Sequence, residues 1–328
     1  MRALLCDEPG QAGTLRLAEV PRPEPGPGQV LVRVRAAGVN FADTLMLAGR
    51  YQEMPEAPFA PGLEAAGEIA ALGPGVEGRR QGERVMALLD QGGFADYALA
   101  RAEDLHPLPA EVEDATAAAL GITYGTAHGS LAWRAGLGAG ETLVVHGAAG
   151  GTGLACVEVG KALGARVIAT AGGPEKLAIA AAHGADLTID YRREDLRARI
   201  KELTDGRGAD VILDPVGGAV FEASLRALAF EGRLVTLGFA GGTVPQAPAN
   251  IVMVKNVAVV GFYWGAYRRR APARVAEQMQ LLLAWLREGR LRPLVSNRLP
   301  LERGAEALAL LEERKATGKV VIETGPAA

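Results

Sequence analysis

The chain has 328 residues, 49% of them hydrophobic and 22% charged, with a formal net charge of −3. That length holds one large or two modest domains, and the slightly acidic balance excludes an electrostatic binder of nucleic acid or anionic membrane. Two cysteines (Cys6 and Cys156) and four scattered histidines supply no disulfide framework and no ligand-like metal spacing, which suits a reducing cytoplasm.

The turn Asp7–Gly10 breaks the chain before any signal-peptide core can form. After the stiff surface turn PRPEPGPG at 21–28, Gln29–Arg35 alternates Val30, Val32 and Val34 with Leu31, Arg33 and Arg35, the period of a half-buried strand. A short helix is expected at Asp43–Leu47. Further strands are expected at Glu64–Leu72, Glu83–Leu88 and Phe94–Leu99, a spacing that suggests a compact barrel-like domain. From Ala115 the chain becomes Ala-rich and helical. Its uncharged run to Trp133 is interrupted by glycine, threonine and histidine and reads as no membrane span, so the chain is expected to be soluble.

The stretch Glu141–Lys176 organises the rest of the chain. The apolar run Leu143–Val145 reads as a buried parallel strand, and Gly147, Gly150, Gly151 and Gly153 come next with only Ala148, Ala149 and Thr152 between them. A helical segment then runs from Leu154 to a C-cap at Gly164, and a second strand covers Arg166–Thr170. Unpaired N–H groups and the dipole at the helix start favour an anion, so Gly150, Gly151 and Gly153 are read as clearing room for a dinucleotide's pyrophosphate. An NAD site carries an acid about 20 residues past the first glycine, at the end of the second strand. Here that place reads TAGGPEK at 170–176, without an acid at the strand end. Gly172 leaves room for a 2′-phosphate and Lys176 brings a cation, so the expected cofactor is NADPH.

Further elements are expected as helix Pro174–His183, strand Leu187–Asp190, helix Glu194–Leu203, strand Val211–Asp214, helix Ala219–Ala229 and strands Arg233–Leu237 and Val257–Phe262. Six strands with crossover helices make a doubly wound parallel sheet in an α/β protein. Its carboxyl ends place Thr170, Tyr191, Asp214, Gly238, Phe239, Phe262 and Tyr263 toward a ligand. The tail reads as helix Ala273–Glu288, a strand near Leu299, helix Glu302–Arg314 and strand Lys319–Glu323, and is too small for a core of its own.

The segments AGVNFAD (37–43), PGLEAAG (61–67), the 147–153 loop, IDY (189–191), DPVGG (214–218) and VGFYWG (260–265) together resemble the medium-chain dehydrogenase/reductase superfamily, in its zinc-free quinone oxidoreductase (zeta-crystallin-like) branch. The resemblance spans nearly the whole chain. It implies a GroES-like β-barrel catalytic domain from 1–121 and 265–328, interrupted by a Rossmann NADPH-binding domain at 122–264. It also implies a homodimer paired through Val257–Phe262. Zinc-dependent members carry a histidine where this chain has Leu63, and a cysteine in the region of Gly38–Asn40; leucine binds no zinc. Hydride is then expected to go to an acceptor that is already electrophilic, a quinone or other α,β-unsaturated carbonyl, with hydrogen bonds to its oxygen as charge develops.

The positions matching the family's site are Asn40, Asp43, Tyr51 and Thr123. Asn40 is expected to donate to the carboxamide or the acceptor, Thr123 to hold the nicotinamide ribose or amide, and Tyr51 to donate a hydrogen bond or proton. Tyr191 matches a tyrosine beside the 2′-phosphate, and Arg314, or less readily Lys319, reaches the cofactor from the tail. Tyr263 and Trp264 line the cleft or close the domain junction. Plainer readings stay open: Tyr51 as a rim aromatic, Asp43 as a helix cap, Thr123 as a core residue, Arg314 as a helix-end cation. An enoyl-thioester reductase and a non-catalytic NADPH-binding sensor are the rival functions. The chain has no Tyr-x-x-x-Lys and no Gly-x-Ser-x-Gly, which disfavours a short-chain reductase and a serine hydrolase.

Overall fold

In this computed structural model, which describes residues 1–10 and 15–325, the alternating valines of strand Gln29–Val39 are buried, and that strand is the spine of one unit. The unit comprises Met1–Ile122, Ala271–Leu281 and Pro293–Ala328. Its main sheet runs in the order Val295–Pro300, Lys319–Glu323, Gln29–Val39, Glu64–Leu72, Arg84–Leu88 and Leu105–Pro107, and Tyr97–Arg101 also pairs with Gln29–Val39. All these pairings are antiparallel except that of Val295–Pro300 with Lys319–Glu323. The core holds Val30, Val32, Val34, Ile69, Val85, Phe94, Val320 and Ile322. Leu31 is buried as well, so the strand's other face is less open than its alternation suggests. Phe94, expected to begin a strand, instead anchors a turn whose N–H reaches Pro61 O at 2.9 Å, and the strand starts at Tyr97. The sequence pattern does not reveal the hairpin Arg2–Cys6 with Leu15–Glu19, whose apolar alternation is broken by the polar turn that begins at Asp7.

The second unit comprises Thr123–Arg270 and Leu282–Arg292. The helix Pro272–Arg287 is therefore divided between the two units. A six-stranded parallel sheet runs Leu187–Asp190, Arg166–Ala171, Thr142–His146, Ala209–Asp214, Leu228–Thr236, Ala258–Gly261. The order reverses direction between Thr142–His146 and Ala209–Asp214, the place where open α/β sheets hold ligands. Val144, Ile168, Ile189, Ile212, Phe221 and Leu234 form the core. The expected elements are present with ends moved by a few residues, the largest change being strand Leu228–Thr236, which begins five residues earlier than expected. Helix Ala249–Lys255 has no counterpart in the sequence pattern: its apolar residues form the unbroken run Ile251–Val254, which shows no helical period, although Ile251 and Val252 pack partly buried against the core. None of the described helices is long and apolar enough to cross a membrane.

Candidate functional site

In the first unit, Asn40 ends the long strand and caps helix Phe41–Leu47. Asp43, the third helical residue, accepts from Asn40 N–H at 2.7 Å through Oδ2 and from Gly62 N–H at 3.0 Å through Oδ1. It thereby ties the helix start to the 61–63 turn, the capping part the plainer reading gave it. Burial pushes the Asp43 carboxyl up to about 7, against the two backbone N–H groups and the Lys319 charge that favour its ionised form.

Beneath Asn40 lies an ion pair that the sequence pattern does not identify. Lys319 Nζ sits 2.8 Å from Glu64 Oε1, and both side chains are at most 4% exposed. The same ammonium donates to Val39 O at 3.0 Å and Asn40 Oδ1 at 2.8 Å. Asn40 Nδ2 donates to Glu64 Oε1 at 2.9 Å and Gly38 O at 3.2 Å, and Glu64 Oε2 accepts from Ile122 N–H at 2.8 Å. Both amide protons of Asn40 are thus taken, so the donor's part expected of it is not open in this arrangement. Lys319, its three protons spent here, is not placed as a ligand for a 2′-phosphate either. A Cβ on Gly38 would lie 2.1 Å from Ala118 O and 2.5 Å from Glu64 Oε1, which leaves no room there for a cysteine side chain. Among the described residues no group of three or more His, Cys, Asp or Glu side chains is placed to hold a metal ion.

Tyr51 is partly buried and packs on the apolar cluster of Cys6, Met46, Phe59 and Leu63, together with Ile122. Arg314 follows helix Gly304–Glu312 with φ 56°, a left-handed turn at the helix's carboxyl end.

In the second unit the glycine loop joins strand Thr142–His146 to helix Gly151–Ala162, with Gly150 as N-cap. Gly147 takes φ 62°, and a Cβ on Gly153 would stand 2.2 Å from Gly147 O. Gly153 therefore serves the loop's own packing and not, as expected, clearance for a phosphate. Gly150 fits the clearance reading, since its added Cβ would meet only Gly147 O, at 3.4 Å. Gly151 and Thr152 open the helix and are partly exposed.

His146 braces the loop from below. Ser224 Oγ donates to Val220 O at 2.6 Å, so His146 Nε2, 2.7 Å from the same Oγ, is the donor of that pair. Nδ1 then accepts from the Thr170 hydroxyl at 2.9 Å. Burial pushes His146 down to about 4, against the Asp214 charge, and the ring is neutral at ordinary pH. Thr170, expected to face a ligand, is buried in this contact. Asp214 closes the next turn through Val216 N–H at 2.7 Å and Gly217 N–H at 3.0 Å.

At the end of strand Arg166–Ala171, a Cβ on Gly172 would lie 2.7 Å from Arg192 Nε and 2.9 Å from Tyr191 Oη. The glycine makes room for those two side chains, not directly for a phosphate. Lys176 is the third residue of helix Pro174–Ala182, and Tyr191 is 48% exposed. Arg192, which no sequence motif marks, joins them and is exposed. An acid does stand nearby: Asp190 Oδ1 accepts from Gly173 N–H at 3.2 Å and Arg192 N–H at 3.0 Å, so it holds the turn. Gly238 and Phe239 follow strand Leu228–Thr236, with Phe239 41% exposed and its ring over Gly217. Phe262 and Trp264 are buried; the Phe262 ring packs on Gly129 and lies 5.5 Å from the Tyr267 ring, so it is spent on packing. Tyr263 folds back over Gly265. Thr123 is buried in helix Gly121–His128.

Residues 26–110 match the alcohol dehydrogenase GroES-like domain and residues 151–284 the zinc-binding dehydrogenase domain. The quinone oxidoreductase-like protein 2 homolog of Nematostella vectensis is 41% identical over 326 residues, covering 98% of this chain and 89% of that one. The structure of Escherichia coli quinone oxidoreductase complexed with NADPH superposes with a TM-score of 0.92 at 29% identity, over 99% of this chain and 100% of that one. The structure of CurK enoyl reductase superposes with a TM-score of 0.89 at 27% identity, over 99% of each chain. With a GroES-like unit and a parallel six-stranded nucleotide-binding sheet carried by one sequence, the chain belongs to the quinone oxidoreductase family of the medium-chain dehydrogenase/reductase superfamily.

Proposed function

We propose that this protein is an NADPH-dependent oxidoreductase that delivers hydride, without a metal, to a quinone or another α,β-unsaturated carbonyl. The observation that carries the reading is the phosphate-ready end of the second unit. An open N-cap at Gly150 begins a 12-residue helix, Tyr191 and Arg192 meet around Gly172 at the end of the next strand, and Lys176 stands in the first turn of the helix that follows. The carboxylate beside them, Asp190, is turned to backbone N–H groups. That set fits a dinucleotide with a 2′-phosphate.

In this reading the backbone N–H groups of Gly150, Gly151, Thr152 and Gly153 hold the pyrophosphate, and Lys176, Tyr191 and Arg192 hold the 2′-phosphate, with Gly172 giving them space. Arg314 supplies a further cation. Gly238, Phe239, Tyr263 and the backbone at Phe262 and Trp264 shape the nicotinamide end, with Thr123 bonding its polar groups. The bound cofactor supplies a hydride. Tyr51, on its apolar bed of Met46, Phe59 and Leu63, presents a hydroxyl to the acceptor oxygen and shields it from water. With Leu63 where zinc-dependent members carry a histidine, the acceptor is activated by hydrogen bonding.

The likeness to CurK enoyl reductase supports a second reading, reduction of an enoyl thioester, in which Tyr51 is essential. A panel of quinones, enones and enoyl thioesters, with NADPH loss followed by absorbance, separates the readings. Quinone turnover supports the first; turnover confined to thioesters and abolished by Tyr51→Phe supports the second. Nucleotide binding with no turnover across the panel leaves a sensor and overturns both. Strand Ala258–Gly261 is a sheet edge near exposed Phe230, Met253 and Val254, which suits pairing with a second copy of the chain. Both cysteines are buried and neither forms a disulfide, which suits the cytoplasm.

A further inference from the structure

Burying Lys319 and Glu64 together is costly, and a buried ion pair seldom repays its desolvation in stability. Its geometry suggests what else it does. An ammonium only donates, so the Asn40 atom facing Lys319 at 2.8 Å must be Oδ1, and Nδ2 must face the two acceptors Glu64 Oε1 and Gly38 O. Only one of the amide's two orientations satisfies every partner. A flipped amide would set Nδ2 against the ammonium and Oδ1 against a carboxylate.

We propose that Lys319, held by Glu64, is the positioning residue for Asn40: the ion pair locks the amide with its protons turned inward and its Oδ1 toward the ammonium and the helix start. The lock thereby fixes the strand end and the start of helix Phe41–Leu47, on which the proposed acceptor contacts depend. The catalytic part of this inference rests on the proposed function; the orientation does not. Glu64 and Lys319 lie 255 residues apart, so the lock also joins the first and last segments of the unit.

The test uses the full chain with Asn40→Ala, the charge-removing pair Glu64→Gln/Lys319→Met, and the combination of all three. The pair removes both charges at once, so neither is left buried alone. Two readouts are taken: the Asn40 side-chain amide signal and its hydrogen exchange by NMR, and kcat and KM with the best acceptor of the panel. The expected result is a slowly exchanging Asn40 amide in the native chain that exchanges fast in the pair variant. With it, kcat falls roughly 10- to 100-fold while acceptor KM changes little, as for a misplaced contact group. On the Asn40→Ala background the pair costs nothing further. An Asn40 amide signal and exchange rate unmoved in the pair variant overturns the proposal, as does an equal kcat loss with and without Asn40. Absence of turnover in the native chain would defeat the functional reading, and the amide signal would still decide the lock.

Discussion

Replacing Lys176 and Arg192 by alanine, singly and together, tests the cofactor assignment where the structure makes it quantitative. A charge-assisted hydrogen bond to phosphate is worth about 1.5–3 kcal/mol when sheltered. Lys176 is half-buried at the first turn of its helix, which keeps the low end, about 1.5 kcal/mol or roughly tenfold in NADPH affinity. Arg192 is exposed, so screening reduces its share to about threefold. Because both act on the same phosphate their losses are coupled, and the double variant should lose between roughly tenfold and 30-fold. Fluorescence titration with NADPH and NADH in parallel is the assay. NADH affinity should hold steady in all three variants, and the NADPH loss should shrink as salt is raised. Equal losses for the two nucleotides would refute the 2′-phosphate site, whatever their size.

Two other outcomes come from the geometry. Gly153→Ala puts a methyl 2.2 Å from the Gly147 carbonyl, a backbone atom that has no rotamer to yield, and should cost about 1–3 kcal/mol by calorimetry; an unchanged melting temperature would show that the loop is looser than described. Asp43 has its carboxyl raised to about 7 by burial, so the folded state binds a proton there that the unfolded chain releases near pH 4. Stability from this group is full below pH 4 and is lost as pH rises toward 7. Asp43→Asn should flatten that part of the urea-midpoint profile, and an identical slope in both proteins would sink the assignment.

The frame of the fold is legible in the sequence because the long strands repeat their valines and the crossover helices carry clear ends. The glycine loop is legible for a partly mistaken reason: spacing alone does not distinguish a glycine with room beside it, like Gly150, from one that clears its own chain, like Gly153. Arg192 escapes notice because it stands in the charged run 192–195, which reads as a solvated turn. Lys319 and Glu64 each look like a strand-end charge, and nothing local reveals a partner 255 residues away. The donor role expected of Asn40 fails for the same reason, since the groups that consume its protons are not neighbours in sequence. Roles that depend on residues brought together by the sheet register are the part that needs coordinates.

The central claim is that this chain moves a hydride from NADPH to an electrophilic carbon or quinone. The direct measurement is mass spectrometry of the product formed with NADPH deuterated on the transferring face of its nicotinamide. For an enone or enoyl acceptor, one deuterium should appear at the β-carbon; for a quinone, where the label can exchange from oxygen, a primary isotope effect on NADPH oxidation takes its place. Product without label together with no isotope effect, or NADPH that binds and is never consumed, would contradict the account.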